Sequence, residues 1–190
     1  DGDHHEQFDQ GEARPGAERR SACRVCGHVA APREADKHNH RNYTTARVGG
    51  TADALVTAQS ARELEQAARR LWDMNIPFKL LGYGSNVLIS DTGLRGVVLL
   101  NRARAIRIEK GDPAAGISPS AWAESGTLLG TIARKAALVG LSGFEWAATV
   151  PGTLGGAIYG NAGAHGSDMK SSLLLAEILH PTGIATWPVE

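Results

Sequence analysis

The sequence predicts an α+β fold arranged as two adjoining subdomains. Short runs rich in Val, Ile and Leu at 54–58, 78–81, 87–90 and 96–100 have the length of strands, and two stretches at 61–74 and 127–140 carry apolar residues at helical spacing. Two Gly-rich stretches, "LLGYGSNVLI" at 80–89 and "PGTLGGAIYGNAGAHG" at 151–166, interrupt these elements. Both strip side chains from the backbone, and they are the features that call for a functional explanation.

Residues 1–41 precede the regular pattern. They mix acidic and basic residues, hold most of the histidines and have very few large apolar side chains. Such a composition cannot bury a core, so this segment is expected to be a disordered tail or extension. It contains "CRVCGH" and "HNH", which place Cys23, Cys26, His28, His38 and His40 close together. Cys-x2-Cys is half of a zinc site, but the spacing matches no standard finger and no apolar residues surround it. Cys23, Cys26 and His28 are therefore the metal candidate, and no metal is expected.

The first subsidiary unit covers 42–101. "ALVTA" (54–58) reads as a strand. Ser60 and Glu63 form an S-x-x-E capping box, and Leu64, Ala67, Ala68 and Leu71 follow at i, i+3, i+4, i+7, which predicts a helix over 61–74. Pro77 stops it. "FKLL" (78–81), "VLIS" (87–90) and "GVVLL" (96–100) read as buried strands. The second unit covers 102–190. "AIRIEK" (105–110) and "AWAESG" (121–126) have strand character, and "TLLGTIARKAALVG" (127–140) is helical with Gly140 at its C′ position. "LAEILH" (175–180), a turn at Pro181–Gly183 and "IATWPV" (184–189) read as a final strand pair.

Acidic and basic residues balance at twenty each, giving a formal net charge of +0. No electrostatic partner is implied, so neither nucleic acid nor an anionic membrane surface is expected. There is no apolar run long enough to cross a bilayer and no basic-then-apolar leader. The two cysteines, side by side, suggest no disulfide framework. A cytoplasmic monomer is the expectation.

Gly82-Tyr83-Gly84-Ser85-Asn86-Val87 begins like the dinucleotide fingerprint G-x-G-x-x-G. The third glycine is replaced by Val87 and the following residues are strand-like, which excludes a Rossmann loop; no Walker-type lysine loop exists either. A nest of backbone N–H groups for a phosphate and an ordinary tight turn both fit the residues. The second stretch is too long for one turn. Gly155, Gly156 and Ala157 permit close backbone approach, and Thr153 and Asn161 offer directed hydrogen bonds. Tight backbone crossing in a core also accounts for these glycines, but two such loops on adjoining subdomains favour an extended cofactor lying across both.

Four motifs carry a resemblance. "YTTARVGGTA" (43–52), "LGYGSNVLISDTGLRGVVL" (81–99), "GLSGFEWAATVPGTLGGAIYGNAGAHG" (140–166) and "AEILHPTGIATW" (176–187) resemble the successive motifs of the UDP-N-acetylenolpyruvoylglucosamine reductases. These are flavoproteins with the p-cresol methylhydroxylase-type FAD-binding fold. The resemblance covers about 43–190, with Tyr83 in a slot often held by a small residue and Ala46 in place of an aromatic. It implies noncovalent FAD between two α+β subdomains, NADPH as electron donor, and a UDP-sugar substrate whose enolpyruvyl group is reduced for peptidoglycan synthesis. It assigns Gly82, Tyr83, Gly84, Ser85, Asn86 and Val87 to the FAD pyrophosphate. It puts Pro151, Gly152, Thr153, Gly155, Gly156 and Ala157 on the flavin side. Asn161, Gly163, Ala164 and Gly166 would close over the cofactor, and Ile178 would lie at the adenine end. The family's catalytic Arg, Ser and Glu belong to segments beyond position 190, so no catalytic residue is expected here and the chain resembles a C-terminally truncated form. His165 is expected not to attach flavin covalently. Glu145 is expected to cap the segment 146–149, and Trp72, Trp122 and Trp146 to pack. An FAD-dependent oxidase of alcohols or sugars, or a non-catalytic flavin-binding fragment, are the alternatives.

Overall fold

The computed structural model describes residues 39–189. Cys23, Cys26, His28 and His38 lie outside them. The described chain starts with a 3-10 turn, His40–Asn42, and Asn39 forms an isolated bridge with Thr51. His40 is fully buried and donates from Nδ1 to the Gly50 carbonyl at 2.7 Å, beside a backbone bond from its own N–H to the same oxygen at 3.1 Å. Residues 39–41 thus belong to the fold, although composition assigned them to the extension. The bridge to Thr51 and the two bonds to Gly50 O anchor them, and composition averaged over a window does not register such contacts.

The first sheet comprises β1 (Ala52–Ala58), β2 (Phe78–Leu81) and β3 (Leu94–Asn101), with helix α1 (Ala61–Asp73) between β1 and β2. Both β1 and β2 pair with β3 in parallel, so the spatial order is β1-β3-β2. At the start of α1, Ser60 Oγ accepts from Glu63 N at 3.2 Å and Glu63 Oε2 accepts from Gln59 N at 2.9 Å. The cap is reciprocal, shifted by one residue on the return bond. Ala67, Ala68 and Leu71 are buried on the face that the periodicity predicted, and Ala67 and Ala68 pack with Ala58 and Leu99. The central strand β3 is buried from Val97 to Asn101 on both faces, which is why it reads as an unbroken apolar run.

Two strand expectations change. "FKLL" is an edge strand rather than a buried one, since Lys79 and Leu80 are exposed. "VLIS" (87–90) forms no strand at all, and Leu88 is 84% exposed. This segment is held through its backbone: Ser90 O accepts from Gly50 N at 2.8 Å and from Gly93 N at 2.9 Å. A short apolar run between turns has the composition of a strand whether or not a sheet has room for it.

The second part begins with an antiparallel pair, β4 (Ile106–Glu109) and β5 (Ser120–Ala123), in which the Arg107 guanidinium lies 4.5 Å from the Trp122 ring centre. Helix α2 (Leu129–Leu138) starts two residues later than the periodicity implied, because the preceding backbone is engaged with Thr153 through the Leu128–Thr153 bridge. Gly140 takes φ +81° just past the C-cap Val139, as expected for C′. Leu129 and Ala133 form a core with Trp146, Ala147, Ala157 and Met169.

A short 3-10 helix, Glu145–Thr149, packs on α2. The second Gly-rich stretch, expected to be loop, instead contains helix α3 (Leu154–Tyr159) and a miniature hairpin, β6 (Gly163–Ala164) with β7 (Ser167–Asp168). Helix α4 (Met169–Ser172) follows, then the predicted pair β8 (Leu175–His180) and β9 (Gly183–Pro188). The glycine content hid α3, since Gly is disfavoured inside helices; packing of Ala157 into the α2 core overrides that preference. Side chains tie the two parts together: Glu124 accepts from Ala61 N at 2.7 Å across the junction, while its other oxygen accepts from Ala105 N at 2.8 Å within the second part. Asn101 Nδ2 donates to Ser125 Oγ at 2.8 Å. Among the described residues no helix is long and apolar enough to cross a membrane.

Candidate cofactor site

The loop at 82–86 connects the end of β2 to the segment that leads to β3. Gly84 has φ +72°, and a Cβ there would meet the Tyr43 carbonyl oxygen. Two independent constraints therefore require glycine. The Gly84 carbonyl accepts from Thr45 N at 3.0 Å, which fixes the loop on one side. On the other side it meets the second Gly-rich stretch. A Cβ on Gly82 would meet Thr153 Oγ1, and Ser85 Oγ donates to the Pro151 carbonyl at 3.2 Å. Gly152, at φ +129°, would place a Cβ 3.0 Å from Ser85 Oγ. The glycines let two backbone segments, far apart in sequence, touch directly.

The backbone donors of the two stretches have different fates. The N–H groups of Tyr83, Gly84, Ser85 and Asn86 have no hydrogen-bond partner among the described residues. In α3 every early N–H is taken: Leu154 N donates to Thr127 O at 2.8 Å, Gly155 N to Ser125 O at 2.8 Å, Gly156 N to Thr153 Oγ1 at 3.4 Å and Ala157 N to Thr153 O at 2.9 Å. Gly155 is small because Ser125 lies beside it, its would-be Cβ falling 3.0 Å from Ser125 Cβ. Asn161 is likewise engaged. Its Nδ2 donates to Asp168 Oδ2 at 2.9 Å and its Oδ1 accepts from Lys170 N at 2.8 Å. The Asn161 and Thr153 side chains thus brace the protein itself, where the sequence suggested hydrogen bonds directed at a ligand.

The remaining site residues have these places. Val87 and Asn86 are exposed at the end of the first loop, and exposed Gly163 and half-buried Ala164 form β6. Gly166, at φ +83°, turns the miniature hairpin in open space. Ile178 is half-buried on β8, opposite Ala185. Asp168 caps α4, accepting from Ser171 N at 2.9 Å; that backbone bond, then the side chains of Asn161 and Ser171, hold its carboxyl below the usual range. Glu145 accepts from Gly143 N at 2.7 Å, in the first turn of its 3-10 helix, and shares a cleft of 370 Å³ with Trp146, His165 and Ser167. Among the described residues no group of three or more potential metal ligands occurs.

A second cleft, of 640 Å³, lies on the Tyr43 side of the first loop and is lined by Arg41, Tyr43, Thr44, Arg47, Tyr83 and Arg102 among others. Arg102 Nη1 donates to the carbonyls of Gly82 at 2.7 Å and Asn101 at 3.1 Å. Burial, then repulsion from Arg104, lowers its pKa, while Tyr43 and Tyr83 oppose this. Sequence reading did not place these arginines at the site. Arg47 stood within the quoted "YTTARVGGTA" motif, which was a usable signal, whereas nothing in the local pattern around Arg102 announces its approach to Gly82.

Residues 52–187 match the model of a family described as an FAD binding domain. The chain belongs to this family. Among proteins similar to this FAD-binding domain are the UDP-N-acetylenolpyruvoylglucosamine reductases of Synechococcus sp. (strain RCC307), 41% identical over 141 residues, and of Carboxydothermus hydrogenoformans, 42% identical over 131 residues. The aligned regions cover 74% and 69% of this chain but 45% and 41% of those proteins. The chain thus spans less than half the length of these relatives. The crystal structure of the UDP-N-acetylenolpyruvylglucosamine reductase from Thermus caldophilus is similar with a TM-score of 0.58 and 27% identity, over 78% of this chain and 50% of that one.

Proposed function

We propose that this chain is the FAD-holding part of an NADPH-dependent reductase that converts UDP-N-acetylenolpyruvoylglucosamine to UDP-N-acetylmuramate for the cell wall, working as a cytoplasmic monomer. The family match and the reductase relatives support the reaction class. The observation that carries the assignment of residues is the 82–86 loop, where four successive N–H groups lack partners among the described residues, beside a left-handed glycine. Such a nest fits an anionic diphosphate, and a side chain on Gly84 would collide with the Tyr43 carbonyl and displace the loop that forms it. The functional division into subdomains 42–101 and 102–190 is part of the same proposal, with the two loops meeting where the parts adjoin.

In this reading the N–H groups of Tyr83, Gly84, Ser85 and Asn86 donate to phosphate oxygens. Ser85 Oγ, fixed on Pro151 O, keeps the loop from turning away. Pro151, Gly152 and Thr153 form the wall toward the flavin ring, with α3 behind them and residues 161–166, braced through Asn161, closing over it. When bound, FAD supplies the two-electron chemistry that links NADPH to the enolpyruvyl double bond. The chain's own contribution is to bind and orient. The protonating and charge-stabilising groups such a reduction needs are assigned by the resemblance to segments outside the matched region.

The test is direct. The chain of 190 residues, mixed with FAD, is expected to quench flavin fluorescence, and acid precipitation is expected to release all the flavin. Unquenched fluorescence at saturating FAD overturns the proposal. In an anaerobic mixture with NADPH, adding the enolpyruvyl substrate is expected to produce no flavin reoxidation near about 1 per second, an ordinary enzymatic rate. Reoxidation at that rate places a complete active site in this chain.

A further inference from the structure

The arginine-lined cleft beside the 82–86 loop is not used by the nest. Three arginines, Arg41, Arg47 and Arg102, line it, and among the described residues no Asp or Glu does. Among the described residues the ion pairs are Arg69–Glu65 and Arg95–Asp53, so none of the three is neutralised there. Arg102 is half-buried and uses one nitrogen, Nη1, on the carbonyls of Gly82 and Asn101, which leaves the rest of its fork available. Desolvation and Arg104 already disfavour its charge. Unpaired like charges around one concavity repel, and a concave surface focuses their field. An anion relieves that repulsion, and guanidinium groups meet phosphate oxygens in pairs. Tyr83 stands in the wall of the cleft while its N–H belongs to the nest, so the two are contiguous.

We propose that Arg41, Arg47 and Arg102 form a nucleotide-diphosphate subsite in this cleft. The inference rests on the flavin reading only in counting FAD among the possible sources; the diphosphate of UDP or of NADPH has the same chemistry.

The experiment uses the flavin-free chain in titration calorimetry at roughly 50 mM and 300 mM salt, on either side of the range where exposed charges become screened. The probes are inorganic pyrophosphate, UDP, NADPH, FAD and riboflavin. Pyrophosphate is expected to bind, and more weakly at the higher salt. Arg41→Gln and Arg47→Gln, both at exposed side chains, are each expected to weaken it about three- to tenfold. The charge-matched Arg69→Gln on α1 is expected to leave it within about twofold. The nucleotide whose affinity falls in parallel is the source, and riboflavin, which lacks phosphate, is expected to respond to none of the variants. No pyrophosphate binding, equal binding by both cleft variants and the parent, or a matching loss for riboflavin overturns the subsite. If pyrophosphate and UDP bind in an arginine-dependent way while FAD does not bind, the flavin reading fails and the subsite stands. If FAD binds equally to all variants and pyrophosphate does not bind, the subsite fails and the flavin reading stands.

Discussion

The two Gly-rich stretches look alike in sequence and do different work. In the first, residues 82–86, glycine supplies a left-handed turn and four N–H groups have no partner among the described residues. In the second, residues 151–166, most of the backbone is consumed by a helix start and a small hairpin, and glycine serves close packing, Gly155 on Ser125 and Gly152 on Ser85. Glycine content therefore does not mark a ligand site. The fate of the backbone donors does, because an N–H that the fold leaves unpaired can be offered to a ligand.

The sharpest break of this comparison is Gly84→Ala. It adds a Cβ against the Tyr43 carbonyl at a φ of +72°, and strain with steric overlap is expected to reduce stability by about 2–3 kcal/mol and to abolish FAD binding. Urea unfolding and a flavin titration read both effects; a stable, FAD-binding variant would make the loop an ordinary turn. Next in size is Thr153→Ala. It removes the N-cap of α3 and leaves Gly156 N without its acceptor, a loss of about 1 kcal/mol of stability read from urea unfolding. FAD affinity is expected to change less than with Gly84→Ala, since α3 presents no early free donor. An equal loss of affinity would erase the distinction between the stretches.

Gly166→Ala is milder. Its φ is +83°, but nothing lies within 4 Å of the added Cβ, so only conformational strain of about 1 kcal/mol is expected, with unchanged flavin affinity. The smallest effect concerns Asp168. Its carboxyl is held below the usual range, first by Ser171 N. A depressed folded-state pKa means that the contribution is complete above the unfolded value, about 3.9, and is lost as pH falls through the lower folded one. The difference in urea midpoint between the parent and Asp168→Asn is therefore expected at pH 7 and to vanish at the acid end. A difference that grows on acidification contradicts the bracing role.

Much of the framework was legible because it rests on local rules. Ser60 and Glu63 mark the start of α1, Leu71 and its periodic partners mark its face, and Gly140 marks the end of α2. What was missed rests on tertiary facts. His40 is tied in by one carbonyl ten residues away, "VLIS" found no neighbouring strand, and α3 forms against glycine's preference because Ala157 fills the core. The site shows the same division. Gly82–Asn86 stood out as turn chemistry, while Arg102 reaches the loop only because the central strand ends beside it.

The order of the first sheet also sets an order in time. Among the described residues, β1 and β2 both pair only with β3, which follows them in the chain. As the polypeptide emerges from the ribosome, the first two strands wait as unmatched edges until residue 101 has been added. β1 cannot be completed by β2, the next strand in sequence, and both wait for β3, so the sheet assembles by insertion of its middle. Parallel pairing of this kind is slow relative to local contacts. A chain cut between β2 and β3 would accordingly yield two pieces, each lacking half of every strand pairing in this sheet and each a template for the other.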